Sequence, residues 1–269
     1  MGSRGNGGGG GLALNPTPVV PPVQQIPQPA NYDGPPVNNI DDFRNLSPED
    51  AARYVAAVDR EFSQRDYNSI IQQGMNPNNT VQALVDKLNY HDGPMAVLPD
   101  AAYDAQYKAN ALNRVEIYRG LGGDQSKSGD VYQQQFLYGD KTFIGGGVHG
   151  DGIYMTTSMH YANMYSGVDA TKTSVTGYID KSVAKVVTED SIQRQFGNES
   201  SQVQRGFGYN YNAYALYKGY NVIHCPGGNR SAAYAYGKGS GRGNNARYMD
   251  FYMPLTRSVL VMREHTRLR

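Results

Sequence analysis

The chain changes texture at Val115, and that change limits its fold more than any other feature. Before Val115 lie stretches with helical apolar spacing; after it come short apolar runs broken by glycines. Ser47-Pro48-Glu49-Asp50 offers a capping hydroxyl, a proline at the first helical position and acids in the first turn. Ala51, Tyr54, Val55, Val58 and Phe62 then make one apolar stripe. A second helix is predicted from Thr80, burying Val81, Leu84, Val85 and Leu88, and a short third from Asp100 to Asn110. Strands are predicted at 115–119, 152–158, 174–179, 184–188, 220–225, 248–254 and 258–263, with a helix of loose boundaries between Asp190 and Lys218. Helices leading into glycine-punctuated strands define an α+β fold.

Residues 1–40 read as an extended arm, Gly-rich from Gly7 to Gly11 and then Pro-rich through Pro35 and Pro36. Such a stretch cannot bury enough apolar surface to fold alone, and its proline half is stiff. It is either a disordered tail or a docking arm that orders on a partner in a large assembly. The expected organisation is this arm (1–40), a helical segment packing on the core (41–110), and the core itself (111–269).

Composition removes several classes. A net charge of +1 implies no strong field for nucleic acid or membranes. No apolar run approaches the roughly 18 residues of a membrane span, and the N-terminus lacks the pattern of a secretion signal. The single cysteine, Cys225, excludes an internal disulfide and a cysteine zinc cluster, and no metal-ligand spacing is present, so no metal is expected. The chain has no Trp and 22 Tyr; tyrosine pairs apolar area with a polar tip and suits half-buried sheets and interfaces.

The chemistry concentrates in Gly150-Asp151-Gly152-Ile153-Tyr154-Met155-Thr156-Thr157-Ser158. Two glycines bracket an aspartate, and glycine lets another backbone or a ligand approach closely. A regular strand would place Tyr154, Thr156 and Ser158 on one wall and Ile153, Met155 and Thr157 on the other. An aromatic ring beside two hydroxyls suits an aromatic, sugar-bearing ligand; an ordinary edge strand after a glycine turn reads the same way. His149 and His160 flank the run as surface or supporting residues.

This run, with Ala162 and Tyr165 after it, resembles the NAD-binding signature of ADP-ribosyltransferases. Val115-Glu116-Ile117-Tyr118-Arg119-Gly120 resembles the first strand of the toxin-type members, and Phe251 through Val261 looks like the last strands of phage-encoded relatives. The similarity covers roughly residues 110 to 265. It implies a split β-sandwich of two small mixed sheets with flanking helices and NAD in the cleft between them. It also implies a site in which Arg119, beside Gly120, grips the NAD diphosphate. Gly152, Tyr154, Thr156, Thr157 and Tyr165 would shape the nicotinamide pocket, and Ser158 would order the catalytic acid. From the residues alone, Arg119 reads as a surface arginine in an ion pair, for instance with Glu116.

The family's glutamate is missing: the residues five and six before Arg257 are Tyr252 and Phe251. The nearest acid is Asp250, which shares a strand face with Tyr252; Glu264 lies beyond the strand's end. The resemblance implies a mono-ADP-ribosyltransferase using NAD as substrate, without a metal, on an unidentified protein target. Its place would be the host cytoplasm or the virion if phage-encoded. The basic, Gly-rich segment 227–245 would contact the target. The alternative is a virion-associated structural protein with a degenerate version of this fold. Its features are the missing glutamate, the arm and the tyrosine-rich surface.

Overall fold

The computed structural model describes residues 26–63, 79–90, 95–121, 129–138, 145–147, 149–164, 174–227 and 250–264. Helices α1 (Ile40–Arg44), α2 (Pro48–Ser63) and α3 (Thr80–Lys87) come first, then β1 (Ala96–Leu98), α4 (Asp100–Ala109) and β2 (Arg114–Gly120). After α5 (Gly129–Tyr138) come β3 (Gly145–Gly147), β4 (Gly150–Gly152), β5 (Met155–Thr156) and α6 (Met159–Met164). Next are β6 (Ser174–Asp180), β7 (Val186–Thr188), α7 (Glu189–Gly197), α8 (Ser201–Gly206) and α9 (Tyr211–Tyr217). The described chain finishes with β8 (Val222–Cys225), β9 (Phe251–Pro254) and β10 (Leu260–Arg263).

The α+β class is as the texture predicts. The sheet differs from the pair of small sheets that the resemblance implies. Eight strands form one mixed sheet in the order β1-β10-β6-β2-β5-β9-β8-β7, beside a two-stranded β3-β4 ribbon. The sheet has two four-stranded halves, and the join between them is narrow. β2 and β5 share a single register pair, Tyr118 with Thr156, whereas β2 and β6 pair over seven residues from Arg114–Asp180 to Gly120–Ser174.

The early helices form where capping chemistry dictates. Ser47 Oγ accepts the Asp50 N–H at 3.1 Å and donates to the Asp50 carboxylate at 2.8 Å, so α2 starts at Pro48. All five predicted stripe residues of α2 are buried. Asn79 caps α3 by accepting the Gln82 N–H at 2.8 Å. The single helix expected between 190 and 218 is three helices. Ser200 and Asn210 accept N–H groups that start α8 and α9, and Gly208 (φ +60°) and Tyr209 (φ +57°) stop the chain between them. The predicted strand 152–158 is likewise broken, into β4 and β5.

The expected arm is shorter than 1–40, because residues 26–39 lie on the helical layer. The Gln28 side-chain amide donates to Val37 O at 2.8 Å and its oxygen accepts the Val37 N–H at 3.0 Å, closing that segment on itself. Val37 is fully buried, and Tyr32 meets Tyr54 of α2 edge-on at 5.1 Å. Residues 1–25 lie outside the described residues. No helix among the described residues is long and apolar enough to cross a membrane.

Helix α4 covers one face of the β2–β6 half with tyrosine. The rings of Tyr103 and Tyr107 approach Tyr178 at 5.2 and 5.8 Å, and the guanidinium of Arg114 lies 4.9 Å above the Tyr178 ring. Within the helical layer, α2 crosses α8 with almost no space. A Cβ at Gly206 would lie 2.6 Å from Ala52 Cβ and 2.9 Å from the Ala52 carbonyl oxygen. Alanine is the better helix former by about 1 kcal/mol. Even so, Gly206→Ala is expected to lower stability by about 1–3 kcal/mol through this clash, read as a drop in the urea midpoint at unchanged slope.

Candidate functional site

Pairing across the narrow join fixes which side chains share a face. Residues directly opposite one another project to the same side, and neighbours along a strand alternate. Tyr118, Thr156, Phe251 and Cys225 therefore occupy one face, through the pairs Tyr118–Thr156, Thr156–Phe251 and Phe251–Cys225. Arg119, Met155, Tyr252 and His224 occupy the other, and Asp250, two residues before Tyr252, joins them. Two of the residues expected to work together, Arg119 and Asp250, thus share a face, separated by two strand spacings of roughly 5 Å each.

Asp250 is held firmly. One carboxylate oxygen lies 2.8 Å from His224 Nε2 and the other accepts the Gly227 N–H at 2.8 Å. The His224 ring stacks on Tyr252 with centroids 4.4 Å apart and planes 11° from parallel. The backbone beneath is clamped to β5: the Thr157 N–H donates to Asp250 O at 3.0 Å and Thr157 Oγ1 accepts the Asp250 N–H at 3.0 Å. His224 had no signal in the sequence, since its role exists only through the β8–β9 register.

The guanidinium of Arg119 sits 5.5 Å from the centre of the buried Phe136 ring on α5. Burial pushes its pKa down to about 10, so it remains a cation at neutral pH. Along β2, Glu116 alternates with Arg119 and projects to the opposite face, where its carboxylate accepts the Tyr118 hydroxyl at 2.5 Å. The alternative pairing of Arg119 with Glu116 therefore does not form.

The rest of the glycine run serves the framework. Gly150 takes φ +81°, and a Cβ there would lie 2.8 Å from Asn212 Oδ1; a Cβ on Gly152 would lie 3.0 Å from Met253 Cβ. The close approach that these glycines permit is by α9 and β9. The Tyr154 hydroxyl turns back to donate to Gly150 O at 2.7 Å and accept the His149 N–H at 3.0 Å, so it does not share a wall with Thr156 and Ser158. Thr156 Oγ1 accepts the Ser158 N–H at 3.1 Å, and Ser158 Oγ accepts the Tyr161 N–H at 3.2 Å at the start of α6. Thr157, expected on the far side, is the hydroxyl that bonds the Asp250 backbone. Gly120 ends β2 opposite Ser174. Tyr165 and residues 228–245 of the basic segment expected to contact the target lie outside the described residues.

The two histidines separate. His160 is exposed, as expected. His149 is buried, with Nδ1 at 3.0 and 3.1 Å from the Glu189 carboxylate oxygens, so of the two expected places, surface or supporting, it does not take the surface one. Asp151 is also buried. Its carboxylate accepts the Asn210 side-chain N–H at 2.6 Å and the Val81 N–H at 3.4 Å, binding the turn to the helical layer.

Comparison with protein-family models, curated proteins and solved structures returns no match for this chain.

Burial raises the carboxyl of Asp151 above its usual range and, with the nearby Asp151 charge adding to it, pushes Asp59 up to about 6. The folded chain thus binds the Asp59 proton more tightly than the unfolded chain, whose carboxyl titrates near 3.8. This contribution is fully present below about pH 4 and is lost as pH rises through about 6. In Asp59→Asn the amide oxygen still accepts from Thr80. That variant should gain on the order of 1–2 kcal/mol at pH 7.5 relative to wild type, with no gain at pH 4, by urea denaturation at the two pH values.

Proposed function

We propose that this chain is an NAD-dependent mono-ADP-ribosyltransferase, phage-encoded as its last strands suggest, that transfers ADP-ribose to a protein. The observation that carries the reading is the shared face of Arg119 and Asp250 across the join between the two half-sheets. The resemblance of the three sequence blocks supplies the chemistry. In that chemistry the bond between nicotinamide and ribose C1 breaks, and nicotinamide leaves with the electron pair. The ribosyl cation is then taken by a nucleophile of the target. Arg119 provides forked, permanently charged donors for the diphosphate. Asp250 provides the carboxylate that stabilises positive charge on the ribose and accepts its 2-hydroxyl. Its orientation by His224 and the Gly227 N–H costs no rearrangement during reaction.

Aspartate is one methylene shorter than the family's glutamate, and a misplacement of about 1 Å is expensive in catalysis. Thr157 fastens the Asp250 backbone at the end of β5. A different observation favours the second reading, a virion-associated structural protein with a degenerate form of the fold: the hydroxyls of Tyr154 and Ser158 are used in turn closure and helix capping.

The two readings separate on incubation of the purified protein with labelled NAD and a bacterial lysate. The enzyme transfers label to protein, or releases nicotinamide, and Asp250→Ala lowers the rate by at least about 100-fold. Arg119→Ala, folded by circular dichroism, weakens NAD binding by at least about tenfold in calorimetry. Absence of both turnover and NAD binding in the wild type would leave the structural reading.

A further inference from the structure

On the face opposite Arg119, three distant segments bring together an imidazole, a carboxylate and a thiol. A ring nitrogen of His149, a carboxylate oxygen of Glu189 and the sulfur of Cys225 all lie within 4.8 Å of one another. His149 belongs to the turn before β4, Glu189 begins α7, and Cys225 ends β8. The His149 side chain is 4% exposed and that of Glu189 17%; Cys225 is 2% exposed. The Tyr211 hydroxyl donates to Glu189 Oε1 at 2.6 Å and fixes the carboxylate's orientation.

Donors surround Glu189, but the cluster leaves polar atoms over. His149 Nε2 and Asn212 Oδ1 are buried and make no hydrogen bond among the described residues. The two residues are neighbours, since the Asn212 side-chain N–H donates to His149 O at 3.0 Å. Buried polar atoms without partners are rare in folded proteins; Nε2 lies on the ring side away from Glu189, which Nδ1 faces, so the ligand nitrogen of the cluster is Nδ1.

We propose that His149, Glu189 and Cys225 bind a divalent transition-metal ion of the zinc class. Imidazole nitrogen, carboxylate oxygen and thiolate sulfur are the ligand types zinc takes at about 2.0–2.3 Å, whereas magnesium and calcium select oxygen alone. Ionised Glu189 and Cys225 carry two negative charges that match the ion, and neutral His149 completes three protein ligands. On binding, the S–H bond of Cys225 breaks, its proton leaves to solvent, and the sulfur's electron pair forms the metal bond. His149 Nδ1 and the Glu189 carboxylate already stand 3.0 Å apart, so it is the Cys225 sulfur that closes on them as the ion enters, with Tyr211 orienting Glu189 from behind. The ion would tie the 149 turn, the start of α7 and the end of β8 into one unit. Cys225 lies opposite Phe251 in register, so this unit directly adjoins Asp250. The site stands independently of the NAD reading.

The test is cobalt(II) titration of the full-length chain after treatment with chelator, followed by absorption. The expected result is a thiolate-to-cobalt charge-transfer band with the visible bands of a four-coordinate ion, saturating at one equivalent and bleached by zinc. Cys225→Ala, which keeps a small apolar group in the strand, should abolish the charge-transfer band. His149→Gln should weaken cobalt binding by more than about 100-fold, both variants being checked for fold by circular dichroism. A folded wild type that gives no charge-transfer band overturns the proposal. So does a band that survives Cys225→Ala.

Discussion

Asn212 fastens the two layers of this protein to each other. Its buried side-chain amide donates to two carbonyls of one turn, His149 O at 3.0 Å and Asp151 O at 2.7 Å. These two carbonyls bracket the start of β4, which leads through Ile153 and Tyr154 into β5, the strand that joins the half-sheets. Asp151 repeats the attachment through Asn210 and Val81, and Gly150 is required where any Cβ would strike Asn212. Buried amides that satisfy backbone carbonyls contribute modestly when made and cost much more when broken. The position of β5 is thus set by the helical layer rather than by strand pairing alone.

The join itself has a second consequence. Because β5 spans two residues and meets β2 at one pair, the polar side chains near it receive their partners from loops and helix ends. Thr157 bonds Asp250, Ser158 caps α6, and Tyr154 closes its own turn. The residues on the Arg119 face come from four strands, and their spacing follows from strand geometry. Met155, with 1% exposure, forms the buried floor between Arg119 and Tyr252. Aromatic packing extends this order: His224 is stacked on Tyr252 and Arg119 on Phe136.

Local signals in the sequence carried the parts of the fold that are made locally. The stripe of α2 and its start at Pro48 were legible because Ser47 and the acids after it lie within one turn. The shared face of Asp250 and Tyr252 followed from alternation over two residues. What failed depended on partners far along the chain. Ala96–Leu98 becomes a strand only by lying parallel to residues 261–263. The break at Tyr209 uses a positive φ on a tyrosine, which nothing in its side chain announces. The predicted strand 152–158 is broken at Ile153 and Tyr154, where the Tyr154 hydroxyl turns back onto the backbone of His149 and Gly150. His149, Glu189 and Cys225 are spaced by 40 and 36 positions (189 − 149 and 225 − 189), so no short motif marks them.

The two outermost strands bear on how this protein meets others of its kind. β1 and β7 each have three residues, each lies parallel to its inner neighbour, and each runs within two residues into a helix that begins with an acid, Asp100 or Glu189. A short edge that turns at once into a helix offers little unpaired backbone for another chain to extend, and parallel addition yields weaker rungs than antiparallel. Lateral growth of the sheet into aggregates is therefore poorly templated at both ends.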